Sequence, residues 1–358
     1  MKQRIAALLC ACGLLLTGCG AQQAQPAPTA QPSPTAQPVI QDYPWEFAWQ
    51  EGDIEALKTP CERPGTVVTV EYDTPAYAVN DLLGKDEMLH KRLRVYLPYG
   101  YDESRQYNVL YLLHGTKYPG DGEMEEYWLD QWGEQTLPVL DNMIDQGLCE
   151  PVIVVTPTYY SRVEGCPLGS EQVEELARRL NDRYISGQGK GDDREQNIWP
   201  QYFGQELRNN IIPAVEGKFS TYAGGDTGEE SLIASREHRA FAGLSRGSMT
   251  VCRSGLTQNA DIIAWFGSYS GAWQEFDAMK EALEGEFASY PIRFWYNGNG
   301  MGDFALPNHE EFRDLTLEQM GDRFVDGENY AFVTLTDGAH RYESWIADLY
   351  NSLLVFFR

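Results

Sequence analysis

Arg239-Ala240-Phe241-Ala242-Gly243-Leu244-Ser245-Arg246-Gly247 decides how this chain is read. The run from Arg239 to Gly243 reads as a buried strand, and Ser248 to Gln258 after it is compatible with a helix. Glycines two residues before and two after Ser245 permit a tight strand-to-helix turn that lifts the hydroxyl clear of a sheet edge. A serine placed there needs a base, a carboxylate to orient the base, and donors for an oxyanion. On its own the pentapeptide is equally a glycine-rich turn with an exposed serine, so its meaning rests on its surroundings.

Those surroundings alternate. Residues 66–72 and 91–97 interleave apolar and polar side chains, as paired antiparallel strands do. Residues 108–113 and 151–156 are continuous apolar runs, the pattern of strands covered on both faces. Helical patterns follow each, around 124–147 and 204–219. Further strand candidates are 238–244, 262–268, 292–296 and 330–336, and an amphipathic helix over about 341–356 closes the chain. Strands alternating with helices of this length predict an α/β fold, a mostly parallel twisted sheet with helices on both faces. Residues 160–203 are too long for a simple connection and read as an insertion near the active face.

The first residues read as targeting, not fold. Lys2 and Arg4 precede an apolar stretch, Ile5 to Leu16, that ends at Leu16-Thr17-Gly18-Cys19. A basic start and a short apolar core make an export signal over 1–18, too short for a stable membrane span. Small residues before Cys19 resemble the lipobox of bacterial lipoproteins, which implies a lipidated Cys19 and an extracytoplasmic protein anchored to the cell membrane. An ordinary secretory peptide cut elsewhere is the alternative. Residues 20–41 are Pro-, Gln- and Ala-rich, a spacer of ~60 Å at polyproline rise. The globular part is expected over 42–358.

A net charge of −25, spread along the chain, argues against a nucleic-acid partner, because phosphate binding needs a basic face. Beyond Cys19 four cysteines remain: Cys61, Cys149, Cys166 and Cys252. In an exported protein they could form two disulfides or stay buried thiols. No Cys/His spacing suggests zinc and no acidic loop matches a calcium hand, so neither metal nor cofactor is expected.

With five histidines in the chain, the base can be sought by elimination. His90 sits in the early antiparallel pair, and His114 is locked into His114-Gly115-Thr116 directly after a strand. His238 opens the strand leading to Ser245, which puts it at the opposite sheet edge. His309 lies in a polar stretch between a strand and a helix. His340 follows the last strand in Asp337-Gly338-Ala339-His340, where a loop at the carboxyl edge faces the serine; catalytic groups gather at that edge in open α/β sheets. Asp303, in Gly300-Met301-Gly302-Asp303, lies at the same edge beyond the strand 292–296. Asp337 competes, but Asp-Gly favours a tight reversal. The expected oxyanion donors are the backbone amides of Arg246 and Thr116.

The residues 108–115, Glu206-Leu207, Ile212-Pro213, 238–245, 300–303 and 338–340 together resemble the esterase D type of α/β-hydrolase. Within it they resemble the feruloyl and acetyl-xylan esterases of carbohydrate esterase family one. The likeness covers about residues 66–358. It implies an α/β-hydrolase fold with Ser245 as nucleophile, His340 as base and Asp303 as its orienter. Where that family carries Met and then Gly-Gly after the serine, this chain has Arg246-Gly247-Ser248, which brings a cation to the pocket mouth. Trp128, Trp199 and Trp273, with Tyr127 and Tyr202, cluster near the inferred mouth. They are either substrate-stacking residues for a phenolic acid or sugar, or ordinary core packing.

The expectation is a lipid-anchored serine esterase that removes feruloyl or acetyl groups from plant polysaccharide or its oligosaccharides. Its alternatives are another acyl hydrolase on the same scaffold (an acetylesterase, an enterochelin-type esterase or a peptidase) and a surface-anchored binding protein without turnover.

Overall fold

Side-chain alternation along one strand explains the layering. In β3 (Asn108–Leu113), Val109, Tyr111 and Leu113 belong to one hydrophobic core, whereas Leu110 belongs with Leu112 in another. Successive strand side chains point to opposite faces, so an unbroken apolar run requires a core on each side. A computed structural model describes residues 42–116, 123–187, 191–272 and 276–358. The expected export signal over 1–18, Cys19 and the expected spacer over 20–41 lie outside the described residues.

One eight-stranded sheet organises the described chain, in the order β1-β2-β4-β3-β5-β6-β7-β8. β1 (Thr66–Pro75) and β2 (Met88–Leu97) pair antiparallel in a ten-residue register, Thr66 opposite Leu97, and β2 pairs antiparallel with β4 (Val152–Thr156). The remaining pairings are parallel: β4 with β3, β3 with β5 (Arg239–Leu244), then β6 (Trp265–Tyr269), β7 (Phe294–Gly300) and β8 (Tyr330–Leu335). This is the α/β sheet the sequence pattern predicts. The chain runs from β3 to β4 on one side and then returns to β5 on the other. The strand order therefore reverses between β3 and β5, and open parallel sheets hold their crevice beyond the carboxyl ends of such strands.

Helices cover both faces. Gly133–Asp145 and Tyr342–Val355 contribute Val139, Leu140, Ile346 and Leu349 to one core. Trp199–Glu206, Phe276–Glu284 and Leu306–Gln319 contribute Phe203, Met279 and Phe312 to the other. The helix 276–284 was not anticipated, and 306–319 begins before His309, which was expected to precede a helix without stated bounds. At the lower end of β5 the guanidinium of Arg239, 1% exposed, donates to Glu216 at 2.6 and 2.9 Å, and Tyr111 Oη donates to the same carboxylate. A charge buried this deeply persists because its partner and hydrogen bonds offset desolvation.

The insertion 160–203 is largely helical, with Ser170–Leu180 and Trp199–Glu206 its longest helices. It packs onto the segment that follows Ser245: Arg253 pairs with Asp182, and Ser254 Oγ donates to Pro200 O at 2.7 Å. The four remaining cysteines are all free thiols, and burial pushes those of Cys149 and Cys252 up to about 12. Among the described residues no helix is long and apolar enough to cross a membrane.

Candidate active site

Ser245 sits where β5 gives way to the helix Arg246–Thr250, with φ 52° and ψ −116°. A non-glycine residue in the left-handed half of φ space is strained by about 1–3 kcal/mol and is held there by its surroundings. Here the Ser245 amide donates to Tyr269 O at 2.8 Å. A Cβ on Gly243 would meet Gly247 C at 2.8 Å, and one on Gly247 would collide with His114 O. Both elbow glycines are thus demanded by close packing of the turn.

The loop after β3 passes directly beside the serine. A Cβ on Gly115 would lie 3.3 Å from Ser245 Cβ, which places Gly115-Thr116 against the hydroxyl-bearing turn. His114 is buried, with Nε2 2.9 Å from Thr158 Oγ1, and Tyr159 Oη donates to Gly115 O. That loop is therefore held from below by the segment following β4.

Asp303 and His340 arrive from the ends of β7 and β8. His340 Nδ1 lies 2.9 and 3.0 Å from the two Asp303 carboxylate oxygens, and its Nε2 lies 3.1 Å from Ser245 Oγ. An ionised carboxylate only accepts, so Nδ1 carries the proton and Nε2 is left to accept from the serine hydroxyl. Asp303 also accepts from Ser270 Oγ at 2.6 Å and from Ala305 N at 2.8 Å. Burial alone would raise this carboxyl, but the bonds from His340, Ser270 and Ala305 outweigh it and hold it below the ordinary carboxylate value. Asp337 has a different partner: its Oδ1 accepts from Glu51 N at 2.9 Å. The other histidines stand away from the serine hydroxyl, with His90 beside Asp73 on the outer strands and His238 stacked on Tyr222.

This is a strand-turn-helix serine, an imidazole and a buried carboxylate at the carboxyl edge of a parallel sheet. The family model described as Esterase matches residues 90–356. The chain belongs to the Esterase family.

This esterase is 28% identical over 314 residues to endo-1,4-beta-xylanase Y of Acetivibrio thermocellus, an alignment covering 85% of the chain. It spans about a quarter (24%) of that enzyme's length. Among solved structures it resembles the feruloyl esterase module from Clostridium thermocellum, a serine-to-alanine mutant complexed with sinapinate. That match has 26% identity and a TM-score of 0.61, covering 85% of this chain and 92% of that one. A CE1 ferulic acid esterase from the anaerobic fungus Anaeromyces mucronatus shares the fold, at 17% identity and a TM-score of 0.59 over 84% of this chain and 94% of that one. The fold of the esterase is that of the α/β-hydrolases.

Two of the three tryptophans expected at the substrate are interior. Trp128 has no exposed surface and donates its indole N–H to Leu113 O at 3.0 Å, so it secures the end of β3 from beneath. Trp199, 2% exposed, packs edge-on to Tyr160 with the Arg162 guanidinium over its ring, which leaves no face for a ligand. Their bulk and apolarity pulled them inward, where large rings bury most area. Trp273 lies outside the described residues. The Arg246 guanidinium reaches back to Asn197 Oδ1 in the insertion, whose Nδ2 in turn donates to Ile185 O at 2.9 Å.

Other residues of the esterase site escaped the sequence reading. Phe304, next to Asp303, is 70% exposed with its ring centroid 4.3 Å from that of His340. Trp345 meets His340 edge-on at 5.1 Å and donates to Ser270 Oγ at 2.6 Å. The available signal for Ser270 was its place, a polar residue just past β6 at the active edge. Beside the loop after β4, a groove of about 490 Å³ is lined by Lys91, Arg92, Glu123, Thr158, Tyr160 and Arg162, among others. Among the described residues no group of three or more His, Cys, Asp or Glu side chains is arranged to hold a metal ion.

Proposed function

We propose that this esterase is a serine carboxylic-ester hydrolase that releases aromatic acyl groups, feruloyl by preference, from plant polysaccharide or its oligosaccharides. One observation carries the reading: the Ser245 hydroxyl, the His340 imidazole and the Asp303 carboxylate form a single hydrogen-bonded line at 3.1 and 2.9 Å. Ser245 Oγ attacks the ester carbonyl while His340 Nε2 takes its proton, and Asp303 stabilises the imidazolium. The amides of Thr116 and Arg246 hold the oxyanion of the tetrahedral intermediate. The C–O bond to the sugar then breaks, and His340 returns the proton to the departing alkoxide. Water repeats the sequence on the acyl-enzyme, releasing the acid and restoring the serine.

Support for an aromatic acyl group comes from the feruloyl esterase module that binds sinapinate and from Phe304, an exposed ring beside the imidazole. The charged groove suits a hydroxyl-rich alcohol portion. We propose further that Cys19 is lipidated after removal of residues 1–18, so the enzyme works outside the cytoplasm on a membrane tether.

Purified full-length protein should hydrolyse methyl ferulate faster than acetylated xylan and leave a peptide amide intact. An organophosphonate should label it once, and Ser245→Ala should lose both label and turnover, the latter by at least about 10³-fold. A faster rate on acetylated xylan would reassign the enzyme as an acetylesterase. A wild-type protein that neither hydrolyses an ester nor takes the label would be a binding protein on this scaffold.

A further inference from the structure

The loop that carries His340 is fastened on two sides. On the inner side, Met301 N donates to Leu335 O at 2.9 Å and Gly302 N to Gly338 O at 2.9 Å, which ties it to the Asp303 loop. On the outer side it is fastened by a segment that the Esterase family model, beginning at residue 90, leaves out. Thr336 N donates to Trp49 O at 2.8 Å, and Glu51 N donates to Asp337 Oδ1 at 2.9 Å.

The Glu51 side chain goes further. Its carboxylate accepts from Ser344 Oγ at 2.7 Å and from Arg341 Nε at 3.0 Å, with Arg341 Nη2 on the second oxygen. Ser344 is fully buried and its Oγ accepts from Ala339 N at 2.9 Å. A hydroxyl has one proton. Since the Glu51 carboxylate takes it, the Ser344 lone pair is aimed at the amide of the residue immediately before His340. Arg341, immediately after it, is held by the same carboxylate. Glu51 thus fixes the backbone on both flanks of the imidazole.

We propose that Glu51 is a positioning residue for His340, acting through Ser344 and Arg341, and that the segment Trp49–Glu51 is a brace for the catalytic loop. This rests on the proposed role of Ser245 and His340. Proton transfer needs Nε2 within hydrogen-bond reach of Ser245 Oγ, and displacement of a reacting group by about 1 Å can cost on the order of 100-fold. Removing the brace should therefore depress kcat without altering how substrate is bound.

The test uses full-length protein, p-nitrophenyl acetate and phosphonate labelling, each variant assayed well below its measured Tm. Glu51→Ala should lower kcat by about ten- to 100-fold with KM within about twofold, and slow phosphonate inactivation in step. Glu51→Gln keeps an acceptor for Ser344 and should stay within about threefold of wild type. Ile54→Ala is the control, because Ile54 is 1% exposed in the same segment and packs in the core; it should lower Tm while leaving kcat unchanged. If Glu51→Ala does not fold, Ser344→Ala carries the same expectation. Unchanged kcat in the folded Glu51→Ala or Ser344→Ala protein overturns the proposal, as does an equal kcat loss in Ile54→Ala. An inactive, unlabelled wild type would instead sink the proposed function.

Discussion

Ser270 shows how much of a site can hang on one hydroxyl. It sits at φ 58°, with its amide on Gly298 O at 2.8 Å and its Oγ between Trp345 Nε1 and Asp303 Oδ2, both at 2.6 Å. An indole N–H only donates, so the Ser270 proton must go to Asp303. Ser270→Ala leaves the indole unpaired, costing about 1–3 kcal/mol, and removes one of the bonds that keep Asp303 ionised. Its kcat should fall about tenfold with KM unchanged. Native Asp303 lies below its ordinary value, so its stabilising contribution is complete above about pH 4 and fades as pH falls through the depressed native value. In the variant the native value lies higher, so the contribution should be smaller and its loss complete at a higher pH. Ser270→Gly relieves the backbone strain, so it should melt higher than Ser270→Ala yet match its kcat. Equal melting with unequal kcat would refute the account. Ser245, Asp303 and His340 were legible because each sits in a glycine-bearing turn after an apolar strand. Ser270 shares that frame, just past β6 and ahead of Gly271, but a serine there names no partner: its role depends on meeting Asp303 beyond β7 and Trp345 on the last helix.

Helix Leu306–Gln319 marks where sequence patterning stopped working, and the reason is physical. Its buried positions are His309, Phe312 and Thr316, helical in spacing but two of them polar, so no apolar stripe announces it. Phe276–Glu284, by contrast, buries Phe276, Met279 and Leu283 at the same spacing, a signal the residues did carry. His309 is tolerated inside because Gly271 N donates to its Nδ1 at 3.2 Å and its Nε2 meets Asn297 Oδ1 at 3.0 Å. Burial pushes the imidazole down to about 3. The unfolded chain takes up that proton below about pH 6.5 while the native state does not, so His309 costs stability as pH falls through this window. His309→Asn should be less stable than wild type by about 2 kcal/mol at pH 7.5. That deficit should shrink by about 1.4 kcal/mol per unit between pH 6.5 and 5. Urea melts of both proteins at three pH values decide it, and a constant gap would show that His309 is not neutral for the reason given.

At the scale of the whole molecule, the parallel strands were readable because a buried parallel sheet demands unbroken apolar runs, whereas their order in the sheet and the brace from residues 49–51 were not. Its contacts join positions nearly 300 residues apart through polar side chains, and nothing in a local pattern encodes such a meeting. In sequence, that brace follows closely on the proposed tether. A net charge of −25, or −27 once Lys2 and Arg4 leave with residues 1–18, repels an anionic membrane surface, but the repulsion decays over about 8 Å at physiological salt. If residues 20–41 form the spacer expected from their composition, ~60 Å at polyproline rise, it would clear that range several times over, and attachment would leave catalysis unperturbed. One acyl chain binds a membrane only marginally, so stable attachment calls for the several chains that a lipidated amino-terminal cysteine carries. Expressed in a bacterial host, the wild-type protein should partition into detergent and Cys19→Ala into the aqueous phase. Their kcat/KM values on methyl ferulate should agree within about twofold, because no group at the site changes. Detergent partitioning retained by Cys19→Ala would remove the lipid from the proposal, and a large drop in kcat/KM would show that the tether reaches the catalytic loop through its brace.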